Sequence, residues 1–347
     1  MDIQQFIAKF DPAYSKYLRE KLEKTKCLSE DEILKAAVER VYEIFASNGK
    51  RVRPYTLHLM YKSAGGGDED ILMACVASEL QHAFALVHDD IIDKGDIRHG
   101  IETIQEYVND ELHTRGFAGD AMHQANAHAM LIGDLMMLWS SEAMNLVEHQ
   151  NKSRLMLLFL EMARKSVTGE LLDISIQARQ SVPDEELNRR DLLKTAADTF
   201  INPMLIGAAL ADKEQEYGNF CKKFGALMGE VYQIQDDILD ILGEEGTPEY
   251  SDIKEHQHTF LTQHVLKNGS SEEKYILQNF FSRKGNAEKV EQQVLQILSE
   301  DKVINFAKQE AESRLAEAKK TLSFARFAKE HEVLWLDVIG FFEKRFV

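Results

Sequence analysis

The chain has 347 residues, 44% of them hydrophobic and 29% charged, a globular balance in a length that buries a substantial core and exceeds any peptide hormone or disulfide miniprotein. Lys plus Arg number 41 against 58 Asp plus Glu, a net charge of −17, so the surface as a whole repels phosphate backbones and anionic lipid and a general nucleic-acid binder is excluded. Cys27, Cys75 and Cys221 are odd in number, widely spaced and in no metal-ligand pattern, which reads as reduced thiols in a cytoplasmic compartment. The N-terminal MDIQQFIAKF lacks a charged leader followed by an apolar core, and no apolar run approaches the roughly 20 residues that span a bilayer. A soluble, unprocessed protein is expected.

Helical signals follow one another along the chain. Asp11-Pro12 reads as an N-cap with proline at the first helical position, and Ser29 with Glu32 as a capping box, placing helices over 12–24 and 29–47. Asn48-Gly49 ends the second helix, Pro54 permits a new start, and the glycines at 65–67 close that element. A long helix is expected over 69–93, and apolar periodicity predicts further long helices at 121–148, 153–180, 185–211 and 213–242. Gly243, Gly246 and Pro248 mark 243–259 as the clearest loop, and shorter charge-rich helices follow from the Ser270–Glu273 capping box. No strand-period block and no low-complexity linker interrupts this order. One all-α domain over 1–347, a large helical bundle, is the simplest reading.

One short motif occurs twice. Asp89-Asp90-Ile91-Ile92-Asp93 and Asp236-Asp237-Ile238-Leu239-Asp240 share the pattern D-D-x-x-D at the C-terminal ends of two expected helices. At 100° per residue, Leu80, Phe84, Val87 and Ile91 form one apolar stripe while His82, Asp89 and Asp93 fall opposite. In the later helix Leu227, Val231, Ile234, Ile238 and Ile241 form the stripe, and Gln233, Asp236, Asp237 and Asp240 share another face. Carboxylates at i, i+1 and i+4 repel one another and cost helix stability unless cations neutralise them. A solvated acidic helix end is the plain reading of one such motif, and its repetition on a second apolar-backed helix favours a metal site. Hard oxygen donors without Cys suit Mg²⁺, which takes one or two carboxylates and completes its shell with substrate phosphates. Cations for those phosphates stand in Gly49-Lys50-Arg51-Val52-Arg53-Pro54 and at Arg98, five residues past the first motif.

These residues in order resemble the trans-prenyl diphosphate synthases, of short-chain geranylgeranyl or farnesyl type. The matches are Gly49-Lys-Arg-x-Arg-Pro54, Glu79-x-x-His82, His88-Asp-Asp-x-x-Asp93 with Arg98 and Gly100, and Gly133-Asp134. They continue with Gly169-x-x-x-Asp173, Lys194-Thr195, Tyr232-Gln-x-Gln-Asp-Asp-x-x-Asp240 and Ser251-Asp252-Ile253. The resemblance covers nearly the whole chain and implies an isoprenoid-synthase bundle with a central substrate cavity, a homodimer, and elongation of an allylic diphosphate by isopentenyl diphosphate. It implies that Asp89, Asp93 and Asp236, supported by Asp90, Asp237 and Asp240, hold three Mg²⁺ ions. Arg98, Lys194, Thr195 and Gln233 would attend the allylic diphosphate, and Lys50, Arg53 and His82 the isopentenyl diphosphate. The catalytic set would be Asp89, Asp93, Arg98, Lys194 and Asp236. Phe84, with small Ala85 beside it, would form the floor that limits the product to C20 rather than C15.

The departures from the family pattern are equally specific. His99 stands where a second arginine is usual, which would make isopentenyl diphosphate binding pH-sensitive. Glu170 replaces a glutamine after Gly169. Thr247 and Gln257 replace two lysines that follow the second motif, and Lys254, His256 and His258 are the candidates to compensate. Those losses keep a regulatory or scaffolding subunit open as an alternative. A terpene cyclase shares the acidic motifs, and the Gly-Lys-Arg-x-Arg-Pro match argues against it.

Overall fold

The computed structural model describes residues 1–46, 49–67, 71–243 and 250–344. It is all-α apart from one two-residue ladder, and no helix among the described residues is long and apolar enough to cross a membrane. The chain divides into two compact units, Met1–Leu160 with Ile206–Asp212, and Glu161–Leu205 with Lys213–Val347.

The first unit contains α1 (Ile3–Lys26), α2 (Glu32–Phe45), α3 (Val52–Ser63) and α4 (Leu72–Ile92). The antiparallel strands β1 (Ile97–Arg98) and β2 (Ile101–Glu102) follow, with Ile97 opposite Glu102, then α5 (Ile104–Thr114) and α6 (Ala121–Asn145). Helix α1 starts nine residues before the proline expected to open it. Asp2 is the true N-cap, forming a capping box with Gln5, and Pro12 lies inside the helix. The bulk of Phe6, Phe10, Tyr14 and Leu18, all fully buried, holds the helix together across that proline. Helix α2 is capped by Asp31, whose carboxylate accepts from the Leu34 amide, while Ser29 Oγ accepts from the Asp31 amide. The expected Ser29–Glu32 box is therefore displaced by a better-placed carboxylate. That helix ends at Phe45; Asn48, expected to end it, lies outside the described residues.

Helix α7 (Lys152–Gln177) leads to α8 (Asp184–Asp191). The single helix expected over 185–211 is instead α8, a π-helix over Leu192–Ile201, and α9 (Asn202–Leu210). Helix α10 (Glu214–Leu242) carries the second acidic motif, and α11 (Ser251–Lys254), α12 (Phe260–Asn268), α13 (Ser271–Phe281), α14 (Ala287–Leu298), α15 (Asp301–Phe324) and α16 (Lys329–Lys344) complete the chain. The segment expected as loop contains α11, and α12 begins where helices were expected only from 269. Its start is a Thr259–Thr262 capping box, a threonine variant of the familiar Ser/Thr to Glu/Gln signature. The Ser270–Glu273 box is present as expected. In this second unit Ile234, Ile238 and Ile241 of α10 pack with Leu261, Val265, Leu277, Phe280, Val294 and Ile304 in one apolar cluster.

Candidate active site

The first acidic motif closes α4. Its heptad-like burial places Leu80, Phe84 and Val87 inside, and Asp90 joins them at 3% exposed while Asp89 stays half-buried. Three carboxylates at a helix C-terminus meet the negative end of the helix dipole, so the segment needs positive charge. Arg98 on β1 supplies part of it. Its Nε donates to Asp90 Oδ1 at 2.9 Å, Nη2 donates to the same oxygen, and Nη2 reaches Asp89 Oδ2 at 3.4 Å. Burial pushes the Asp90 carboxyl up to about 6 against the pull of Arg98.

The turn between motif and strand is fastened from behind. The Gly95 amide donates to the Asp90 carbonyl at 2.8 Å, and Gln105 Nε2 donates to the carbonyls of Asp90 and Gly95 at 3.0 and 2.9 Å. Gln105 is buried and was not singled out from sequence, because nothing in a glutamine at the start of α5 marks it as a clamp.

His82, one turn or more before the motif, is held far below the ordinary imidazole range by desolvation and then by the charges of Arg53, Arg98, His99 and Arg51. The structure thus gathers those cations around a neutral imidazole. His99 takes a left-handed backbone, φ 54°, and its Nδ1 lies 3.2 Å from the Ile44 carbonyl. Lys50 and Arg53 flank Arg51, whose own role differs. Arg51 is left-handed at the N-cap of α3 and 4% exposed. It donates to Asp11 at 2.9 Å and Glu79 at 2.7 Å, and its guanidinium lies 4.7 Å from the Tyr14 ring centre. This buried ion pair anchors the loop that presents its two neighbours. The Arg51–Glu79 pairing could have been suspected from the presence of both residues in the quoted motifs.

Beneath the first motif Phe84 is buried, with Ala85 half-buried beside it, and its ring meets His88 edge-on at 5.1 Å. His88 Nε2 lies 3.0 Å from the Met130 carbonyl. It fits there because Gly133 has no side chain; a Cβ would stand 2.3 Å from Nε2.

The second motif shows the same division of labour. Asp236 is half-exposed and Asp237 is 1% exposed. Asp237 accepts from Gln233 Nε2 at 2.9 Å and from the Phe260 amide at 2.7 Å, and Thr195 Oγ1 donates to Gln233 Oε1 at 2.9 Å. Burial raises the Asp237 carboxyl above its usual range. Asp240 accepts from the Ser251 amide and hydroxyl at 2.8 and 2.6 Å and from the Asp252 amide at 3.2 Å, which pins α11 to the end of α10. Lys194 and Thr195 stand on the π-helix, a geometry frequent at functional sites. Lys194 Nζ lies 2.8 Å from both Glu170 and Asp173, and Arg190 Nη1 is 3.0 Å from Asp173 and 2.8 Å from the His258 carbonyl. Arg190 was missed from sequence, although its position four residues before Lys194 was the available signal.

His256 and His258 do not replace lysines. His258 is fully buried, its ring stacks on Phe281 at 3.8 Å and its Nε2 lies 2.9 Å from the Arg179 carbonyl; His256 stacks on Phe280 at 4.5 Å. Lys254 is exposed at the end of α11. Gln257 is buried, and Thr247 lies outside the described residues. Among the described residues no three His, Cys, Asp or Glu side chains form a closed metal cage. The donors at Asp89, Asp93 and Asp236 are hard oxygens, the set that suits Mg²⁺ completed by phosphate and water.

The polyprenyl synthetase family model matches residues 34–298. The chain is 28% identical over 290 residues to the short chain isoprenyl diphosphate synthase of Methanocaldococcus jannaschii, covering 80% of this chain and 82% of that protein. It is 32% identical over 242 residues to the geranylgeranyl diphosphate synthase of Sulfolobus acidocaldarius, 69% of each chain. The structure of geranylgeranyl pyrophosphate synthase from Corynebacterium glutamicum, complexed with isoprenyl diphosphate and magnesium, superposes with a TM-score of 0.87 at 22% identity, covering 99% of this chain and 100% of that one. The chain belongs to the polyprenyl synthetase family. It is a prenyltransferase.

Proposed function

We propose that this prenyltransferase condenses isopentenyl diphosphate with an allylic diphosphate, head to tail and with Mg²⁺, to give a short-chain trans-prenyl diphosphate, C20 in preference to C15. The observation that carries the reading is the duplicated D-D-x-x-D motif in which the first aspartate is half-exposed and the second is buried as its brace. The relatives' names, geranylgeranyl and short chain isoprenyl diphosphate synthase, support the product class. The family model spans residues of both compact units, which supports one catalytic domain over 1–347.

Asp89, Asp93 and Asp236 would hold the metal, three Mg²⁺ ions, with Asp90, Asp237 and Asp240 in support. Bound Mg²⁺ stabilises a departing diphosphate, which is what ionisation of an allylic C–O bond requires. Arg98 and Lys194 add charge-assisted donors to the same diphosphate, and Thr195 and Gln233 orient beside Lys194. Lys50, Arg53 and His99 grip the isopentenyl diphosphate, and neutral His82 can donate a hydrogen bond there without titrating. The released diphosphate can take the proton lost after condensation, so no side chain is required as base. Phe84, wedged by His88, forms the floor that stops elongation. Met130, Leu131 and Leu138, exposed along α6, support a homodimer, and the three unpaired cysteines support a cytoplasmic location.

Purified protein incubated with Mg²⁺, isopentenyl diphosphate and separate C5, C10 and C15 primers tests the reading through the length of the product. A C20 product from each accepted primer is expected, and Asp89→Ala or Asp236→Ala is expected to abolish it. Full activity in either variant would overturn the metal assignment, and no turnover without a partner chain would favour the regulatory subunit.

A further inference from the structure

We propose a binding site for one monovalent inorganic cation, Na⁺ or K⁺, in the cavity enclosed by Asp237, Asp252, Gln257, Thr259 and Thr262. The cavity measures about 10 Å³, room for a single water-sized particle, and its remaining wall is apolar, including Ile241, Leu261 and Phe280. Gln257 is 7% exposed, lines this space, and its Oε1 is buried with no hydrogen-bond partner among the described residues. An orphaned amide oxygen of that kind costs stability unless something in the cavity satisfies it.

The surrounding polar groups are acceptors whose neighbouring donors are already spent. The Phe260 amide and Gln233 Nε2 are used on Asp237. Thr262 Oγ1 donates to the Thr259 carbonyl at 3.0 Å, and the Thr262 amide donates to Thr259 Oγ1 at 3.1 Å. Arg190, the guanidinium whose charge reaches these carboxylates, is bonded to Asp173 and Asp191. Water brings two protons to such a cavity and leaves the carboxylate charge in place. A desolvated cation satisfies every acceptor at once and balances that charge. The space admits one particle with no hydration shell, which disfavours Mg²⁺, an ion that keeps several waters.

The test does not depend on the reaction proposed above, because it reads binding alone. EDTA-treated protein without substrate is melted in NaCl, KCl or tetramethylammonium chloride at one ionic strength, over a range of concentrations. A saturable rise in Tm of about 2–4 °C in Na⁺ or K⁺ and not in tetramethylammonium is expected, and the two salts separate the preferred ion. Gln257→Lys places a tethered ammonium in the cavity and is expected to remove the dependence on Na⁺ or K⁺. Equal melting in all three salts overturns the proposal, as does an undiminished response in Gln257→Lys. Crystals of the unaltered protein grown with Tl⁺ decide the matter if the variant does not fold: an anomalous peak between Asp237, Asp252 and Gln257 supports the site, and its absence overturns it.

Discussion

Glu170 and Asp173 both lie 2.8 Å from the Lys194 ammonium, so one cation is shared between two carboxylates before any substrate arrives. A diphosphate approaching Lys194 must compete with that pairing. Asp173 is buried and also bonded to Arg190, whereas Glu170 has no such second cation in the hydrogen-bonding pattern described above. Glu170→Gln is therefore expected to lower KM for the allylic diphosphate by up to about five-fold with little change in kcat, the size of a partly exposed ion pair. Steady-state kinetics with the primer varied at saturating isopentenyl diphosphate measures it, and an unchanged or raised KM would assign Glu170 another role. The acidic substitution was legible from sequence as a departure; which cation it engages depended on the approach of α7 to the π-helix, which no local pattern encodes.

At the scale of elements, that approach is permitted by Gly169. A Cβ there would lie 2.4 Å from the Lys194 backbone nitrogen and 2.7 Å from its Cα, and a Cβ at Gly229 would meet Ala196 Cα at 2.5 Å. Two helices thus close on the π-helix through missing side chains. Gly169→Ala is expected to cost about 1–3 kcal/mol of stability by overpacking and to reduce kcat about 100-fold by displacing Lys194. Gly218→Ala is the control, since its Cβ would meet only Leu205 Cδ2 at 3.8 Å. Denaturant midpoints and initial rates of the pair decide it; equal behaviour would mean that Lys194 does not depend on the close contact. Long helices such as α4, α6 and α10 were readable from apolar period, because burial of one face dictates that period. Helix starts were less readable, since Asp2, Asp31 and Thr259 compete with neighbouring polar residues for the cap and tertiary packing decides which succeeds. The π-helix was invisible, its residues being ordinary helix formers.

For the molecule as a whole, His58 ties stability to pH. Burial, helped by Lys62, Lys9 and the N-terminus, lowers its pKa from 6.5 to about 4. The unfolded chain binds a proton more readily, so the stabilisation is complete above pH 6.5 and is lost as the pH falls from there to about 4, up to about 3 kcal/mol in total. The slope of unfolding free energy against pH in that window is expected to be shallower in His58→Gln than in the unaltered protein. Identical slopes would place the acid sensitivity elsewhere. The family and the two acidic motifs could be recognised from sequence because contiguous residues carry them. The supports behind the motifs, Gln105, Arg190 and Gln257, could not, because each acts on backbone or side chains remote in sequence from its own position.

The π-helix over Leu192–Ile201 has one more consequence. A π-turn holds more residues than an α-turn, so the segment works as a phase shifter between α8 and α9. Shortening it by one residue to α geometry would rotate everything upstream by about 100° relative to everything downstream. Arg190 and Lys194 would then swing away from Asp173 while the sequence stayed almost unchanged. In this chain the angular bearing of two cations is stored in the count of residues between two helices, a quantity that substitution leaves alone and that a single deletion erases.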